Sequence, residues 1–148
     1  PGQAPAGPAI ARALHRAIMA GLVAACHDCS EGGAAVALAE MAMAGDLGAE
    51  LHVALMPRSA QQDLATDTLL FSESNARYLV EVREADRPAF EAVCEGLPCA
   101  SVGRVVDEQS ITVYGAQTDN PEFTLSLQAI ERAWRGHIAP VPAAEALS

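Results

Sequence analysis

From Glu31 to Ala44 the chain reads as a helix that is apolar almost all round. Ala35, Val36, Leu38, Met41 and Met43 leave it no polar face, and Glu40 is the exception. Such a helix cannot rest on a surface; it must be buried against a sheet or a neighbouring subunit. A chain built around it therefore needs a sheet, or a partner, for the helix to pack on. At 148 residues it has the length of one ordinary domain, large enough to bury a core. With only 4% aromatic residues, that core must be filled by Ala, Val, Leu, Ile and Met.

The strands are there. Val23 to Cys26 is a short apolar run that reads as a buried strand entering His27-Asp28-Cys29-Ser30, and Ser30 suits the N-cap of the apolar helix. Beyond Gly45-Asp46 and Gly48, the stretch from Ala49 to Leu55 alternates as a strand, with Leu51, Val53 and Leu55 on one face. Residues 56 to 70 read as a loop or short helix. Tyr78 to Val82 is a further strand, and Ala100 to Val106 and Ile111 to Tyr114 are two more. Three other helices are expected: Pro8 to Leu22, with Ile10, Leu14, Ile18 and Leu22 on one stripe; Asp86 to Glu95, closed by Gly96 and Pro98; and Leu125 to Trp134, with Leu127, Ile130 and Trp134 aligned. Interleaved helices and strands point to an α/β or α+β sandwich with helices covering a mixed sheet. Residues 1–7 read as a linker, 8–140 as one domain and 141–148 as a loose Pro/Ala tail.

Charge narrows the function. Nine Lys+Arg against nineteen Asp+Glu give a net charge of -10, which argues against nucleic acid and against an anionic membrane surface. No apolar run reaches the roughly 18–20 residues of a membrane span. The first residues carry no secretory pattern, so a cytoplasmic location is expected. All nine cations are Arg, which excludes a P-loop lysine or a Schiff-base lysine within this chain. Cys26 and Cys29 form a C-x-x-C pair, but Cys94 and Cys99 are spaced wrongly for a four-thiolate zinc site. Small buried residues in a reducing compartment are the simpler reading, and no metal site is assigned.

Two segments could carry chemistry. In His27-Asp28-Cys29-Ser30-Glu31-Gly32-Gly33 a strand turns into a helix whose first turn holds two glycines. That arrangement lets an anion approach free backbone N–H groups, or simply allows close helix packing. His27 and Asp28, neighbours on a strand, point to opposite faces and read as structural rather than as a general-base pair. Leu70-Phe71-Ser72-Glu73-Ser74-Asn75-Ala76-Arg77 gathers hydroxyls, a carboxylate, an amide and a cation just before a strand. Arg77 there could serve a phosphate or carboxylate, or pair with Glu73 in a polar turn. No nucleophile–base–acid triad and no complete Walker motif is present, and no catalytic residue is assigned.

The stretch from Gly21 to Met41, the segment Leu70 to Tyr78, and Ala133-Trp134-Arg135-Gly136 preceding Ile138 occur in the same order as in a known family. The chain resembles the carboxy-terminal domain of the synthetase component of phosphoribosylformylglycinamidine synthases, in the aminoimidazole ribonucleotide synthetase-related superfamily. The resemblance implies a three-layer α/β/α domain on a mixed sheet, partly ferredoxin-like. It implies part of an ATP-dependent, glutamine-dependent carbon–nitrogen ligase of purine synthesis that amidates formylglycinamide ribonucleotide. ATP and Mg²⁺ would act in the full enzyme. The partners implied are the amino-terminal synthetase domains, a glutaminase component and the ribonucleotide, with this domain inactive alone. Ser30, Gly32, Gly33, Glu73, Ser74, Asn75 and Arg77 become candidate ligand contacts. Alternatives are an assembly domain with a vestigial nucleotide site, or a domain of another ATP-using member.

Overall fold

A computed structural model describes residues 7–58, 65–73, 75–116 and 120–136. In chain order the elements are α1 (Gly7–Met19), β1 (Ala25–Asp28), α2 (Gly33–Gly45), β2 (Gly48–His52), α3 (Thr66–Phe71), β3 (Tyr78–Glu81), α4 (Arg87–Val93), β4 (Gly103–Val106), β5 (Ser110–Tyr114), β6 (Pro121–Ser126) and α5 (Leu127–Trp134). Single 3-10 turns follow β2 (Val53–Leu55) and precede α4 (Glu84–Asp86). Gly7 already belongs to α1; the rest of the expected linker, the tail and Ile138 lie outside the described residues.

The mixed α/β class expected from the interleaving is the one the chain adopts. Strands β4-β2-β5-β6 form a four-stranded sheet in that order, while β1 and β3 form a two-stranded antiparallel ribbon. In the larger sheet β2 runs parallel to β5, with Ala49 opposite Ile111 and His52 opposite Tyr114, and the other pairings are antiparallel. The sheet is thus mixed around its central pair.

The apolar helix α2 lies where its composition demands. It packs against β1 and β3 of the ribbon, against β2 of the large sheet, and against α3 and α5. Ala34, Ala37 and Ala42 are buried on it, small enough to bring the neighbouring backbones close. They join Leu51, Val53, Met56, Leu69, Leu70, Ile111, Val113 and Leu127 in one continuous core. Leu70 and Val53 are its largest fully enclosed side chains. Burying a side chain of that kind contributes about 1.5–3 kcal/mol.

The opposite face of the four-stranded sheet is polar, as strand alternation requires. Arg104 on β4 grips Glu50 on β2 with two hydrogen bonds of 2.7 and 3.1 Å. The rings of His52 and Tyr114 stack at 4.3 Å, and Thr112 meets Thr124 at 3.1 Å.

Three expectations are corrected. The strand from residue 49 stops at His52 because the chain enters a 3-10 turn, so Leu55 is exposed while Val53 is buried. Residues 121–126, unassigned from sequence up to Leu125, form β6, and the last helix begins only at Leu127. On that helix Leu127 is buried, but Trp134 stands 61% exposed. Ser126 caps α5 by accepting from the Ala129 amide at 3.2 Å.

Candidate functional site

The two segments singled out in the sequence meet in space. The carboxylate of Glu73, in the turn after α3, accepts a hydrogen bond from the backbone N–H of Gly32 at 3.1 Å. Gly32 is the N-cap of α2 and makes no side-chain cap of its own, and α2 has no acidic residue in its first turn. Glu73 therefore supplies from forty-one positions along the chain what a capping residue supplies locally: an acceptor for an orphan N–H and a negative charge at the positive end of the helix.

Ser30 does not cap α2, as its sequence position suggested. Its hydroxyl donates instead to the carboxylate of Asp28. The helix starts later, at Gly33, because Gly32 and Gly33 both take left-handed backbone angles (φ 72° and 65°) and turn the chain before helical geometry begins. The Ser30 hydroxyl is the main reason the Asp28 carboxyl is held below its ordinary value, with lesser help from a backbone bond and from His27.

Gly33 explains how closely the segments approach. A Cβ built there would lie 2.5 Å from the carbonyl oxygen of Leu70 and 2.9 Å from the carbonyl carbon of Phe71. These are backbone atoms at the end of α3, which cannot swing aside. Glycine at position 33 thus sets the spacing between α2 and α3, and with it the reach of Glu73.

Arg77 does not pair with Glu73. Its guanidinium donates to the carbonyl oxygens of Ser72 (3.0 Å) and Leu69 (3.2 Å) and to the Ser72 hydroxyl (2.7 Å). Two of the carbonyls left unpaired at the C-terminus of α3 are satisfied in this way, by a cation where the helix dipole favours one. Its own carbonyl accepts from the Cys29 amide at 3.0 Å, tying the turn back to the glycine segment. The exposed Asn75 sits beside Ala76, which holds a left-handed φ of 61° rare for a residue with a Cβ. Ser74 lies outside the described residues.

Asn75 and Arg77 also line a groove of about 900 Å³, which runs between β3 and β4 with Leu38, Met41 and Phe90 along its walls. Ser30, Gly32, Gly33 and Glu73 lie apart from that groove, around the start of α2.

One contact escaped the sequence. Nε2 of His27 lies 2.7 Å from the carboxylate of Glu40, and Nδ1 lies 2.7 Å from the backbone carbonyl of Asp28. Both ring nitrogens face acceptors, and a neutral imidazole can donate to only one of them. Glu40, the charge interrupting the apolar helix, is there to meet His27; the signal was present in α2, but its partner was not. Among the cysteines only Cys29 is buried, and burial pushes its thiol up; Cys26 and Cys99 are exposed and Cys94 is intermediate, all as free thiols. No cluster of three His, Cys, Asp or Glu among the described residues could hold a metal ion.

Residues 1–116 match the family model "AIR synthase related protein, C-terminal domain", and the chain belongs to that family. Within it, the relatives are subunits of one enzyme. The chain is 39% identical over 117 residues to phosphoribosylformylglycinamidine synthase subunit PurL of Deinococcus radiodurans, covering 79% of this chain and 15% of that protein. It is 39% identical over 132 residues to the same subunit of Moorella thermoacetica, covering 88% of this chain and 17% of that protein. The chain thus spans about a sixth of the length of these curated relatives. Among solved structures, PurLQS from Thermotoga maritima superposes with a TM-score of 0.75 at 22% identity, over 87% of this chain and 22% of that one. PurL of T. maritima complexed with ATP gives 0.72 at 22% identity, over 82% and 21%. At that identity the likeness concerns the fold. No helix among the described residues is long and apolar enough to cross a membrane.

Proposed function

We propose that this chain is the carboxy-terminal domain of a phosphoribosylformylglycinamidine synthase, and that it serves the ATP-dependent, glutamine-dependent amidation of formylglycinamide ribonucleotide. In this reading it completes a cleft with amino-terminal synthetase domains, receives ammonia through a glutaminase component, works in the cytoplasm, and is inactive alone. Supporting it are the family to which the chain belongs and the names of its relatives, with PurL of T. maritima solved with ATP and with FGAR. The single structural observation that carries it is the Gly32–Glu73 hydrogen bond, which joins the two family-like segments at one helix terminus.

The residues present suit a phosphorylated ligand in part. The start of α2 offers amide donors beyond the one that Glu73 takes, Ser30 is exposed two residues before its N-cap, and Asn75 is exposed in the turn before β3. Gly32, Gly33, Glu73, Ser74 and Arg77 complete the candidate set. Glu73 already occupies one amide and Arg77 is engaged with α3, so these two hold the turn in place, while Ser30, Asn75 and the amides after Gly33 would touch the ligand. Magnesium fits less well: with no metal-ligating cluster among the described residues, it would depend on phosphate oxygens and on other domains. When bound, ATP would supply the phosphoryl group that activates the amide oxygen for displacement by ammonia. This chain's part is to orient phosphate through the α2 amides and to hold the turn against α2.

The test is an NMR titration of the 148-residue chain with Mg·ADP and, separately, with the ribonucleotide, followed by Ser30→Ala and Asn75→Ala in the full-length enzyme. Shifts confined to residues 27–33 and 72–77, with a raised KM in the variants, are expected. Unchanged spectra together with unchanged kinetics in both variants would overturn the assignment and leave an assembly role.

A further inference from the structure

Strands β3 and β4 are each paired on one edge only among the described residues, β3 with β1 and β4 with β2. Their other edges open on the groove between them, which residues 78–82 and 100–105 line without a gap. Successive side chains of a strand point to opposite faces, so an unbroken run of lining residues means that the backbone edge itself faces the groove. Apolar side chains close the space from two sources, Leu38 and Met41 on α2, and Leu14 and Phe90 on α1 and α4. Ala13, Ala17 and Phe90 are buried yet stand outside the continuous core around α2. The α1–α4 pair and the main core are thus separate apolar layers, and both border the same groove of about 900 Å³. Close-packed interiors leave few gaps larger than a water molecule.

We propose that this groove receives one extended strand from the polypeptide that precedes this domain in the synthetase, hydrogen-bonded along both edges. An extended stretch of five residues is about 17 Å long, about 4.8 Å wide and about 10 Å through its side chains. It fills about 800 Å³, close to the space present. With β3 on one side and β4 on the other, it joins the ribbon and the four-stranded sheet into a single sheet of seven strands. The occupant needs both backbone edges free. That rules out β6 of a second copy, which already pairs along one edge with β5. Gly7 shows where the segment is delivered. It lines the groove at the start of α1, and a Cβ there would lie 3.3 Å from that of Ala76, in the turn before β3. The chain therefore enters α1 beside one end of the free β3 edge. The inserted segment is apolar on both faces, because it meets α2 as well as α1 and α4. The curated relatives, of which this chain spans about a sixth, have ample polypeptide to supply it. The inference rests on the reading of this chain as the carboxy-terminal part of a longer synthetase.

The experiment compares amide hydrogen exchange in the 148-residue chain and in the full-length enzyme. It then adds to the 148-residue chain overlapping peptides that cover the region preceding α1 in the full-length enzyme. Amides of residues 78–82 and 100–105 should exchange at least several-fold more slowly in the full-length enzyme, and one peptide should restore that protection to the 148-residue chain. The same peptide N-methylated on alternate backbone amides should restore none, a control that leaves the protein itself unaltered. Equal exchange of these residues in both proteins, with no peptide effective, would overturn the proposal. So would protection already complete in the free chain, since β3 and β4 would then be paired with each other. Protection that grows with the concentration of the 148-residue chain alone would assign the groove to a second copy and overturn it too. Each of these failures leaves the kinetics of the Ser30→Ala and Asn75→Ala variants untouched, so it is distinct from a failure of the ligase assignment.

Discussion

Replacing Gly33 by alanine tests the contact on which the candidate site depends. Two costs add there. A Cβ on a residue held at φ 65° costs about 1–2 kcal/mol, because it crowds the following carbonyl. The same Cβ would sit 2.5 Å from the Leu70 oxygen and 2.9 Å from the Phe71 carbonyl carbon, and forcing that backbone aside costs about 1–3 kcal/mol more. The sum is about 2–5 kcal/mol. Gly21 separates the two, for it has nearly the same φ, 73°, and nothing within 4 Å of its would-be Cβ. Gly21→Ala should therefore show the conformational cost alone. In thermal unfolding of the 148-residue chain, at about 2–4 °C per kcal/mol, Gly33→Ala should lower Tm by roughly 10 °C and Gly21→Ala by roughly 5 °C. Exchange of the Gly32 amide should accelerate only in Gly33→Ala, since moving α3 pulls Glu73 away. Equal Tm shifts, with the Gly32 amide still protected, would refute the claim that α2 and α3 meet without room for a methyl group.

Other perturbations follow from the same turn. Arg77→Ala strips the end of α3 of its donors and should cost about 2 kcal/mol in urea unfolding; a Tm within a degree of wild type would mean that solvent replaces the guanidinium freely. Glu73→Ala should cost about 1 kcal/mol and expose the Gly32 amide to exchange, with Glu73→Gln intermediate. Ala76→Gly should stabilise by about 0.5–1 kcal/mol, because glycine relieves the left-handed strain at a smaller cost in unfolded-chain entropy; destabilisation would show that the Ala76 methyl is needed for packing. Asp28, held below its ordinary value mainly by Ser30, stabilises the fold above the unfolded carboxyl value, about pH 4, and loses that contribution as pH falls through its lower folded value. The Tm curves of wild type and Ser30→Ala should accordingly converge on acidification. A gap independent of pH would contradict this assignment.

Helix α2 was legible because its pattern is local: no arrangement of Val36, Leu38, Met41 and Met43 leaves it a wet side. Strands β2 to β5 could be read for the same reason, from short apolar or alternating runs, whereas β1, expected as a buried strand over Val23–Cys26, forms at Ala25–Asp28 with alternate residues exposed. β6 could not. Its six residues are all exposed at the sheet edge, so Phe123 and Leu125 gave too faint an alternation beside the stronger helical stripe that follows. Ser30 misled because a serine before an apolar helix is a good cap only if the helix begins at once, and two left-handed glycines delay it. At the site, both segments were recognised, but their relation was not. Which acceptor meets Gly32, which carbonyls Arg77 binds and why Glu40 is charged are long-range facts, decided by the packing of α3 and β1 on α2.

The parallel pairing of β2 with β5 has a consequence for how the protein is made. A ribosome releases α2 and β2 long before β5 emerges, and β6 with α5 follows later still. Until then the most water-averse helix of the domain has only its ribbon and α3 for cover, and β2 lacks the partner that centres its sheet. Synthesis thus passes through an interval in which the nascent chain is adhesive, and a message truncated after β4 would yield a product destined for chaperones or aggregates. Slow, topology-limited closure of the sheet is the kinetic counterpart of a core assembled from both ends of the sequence.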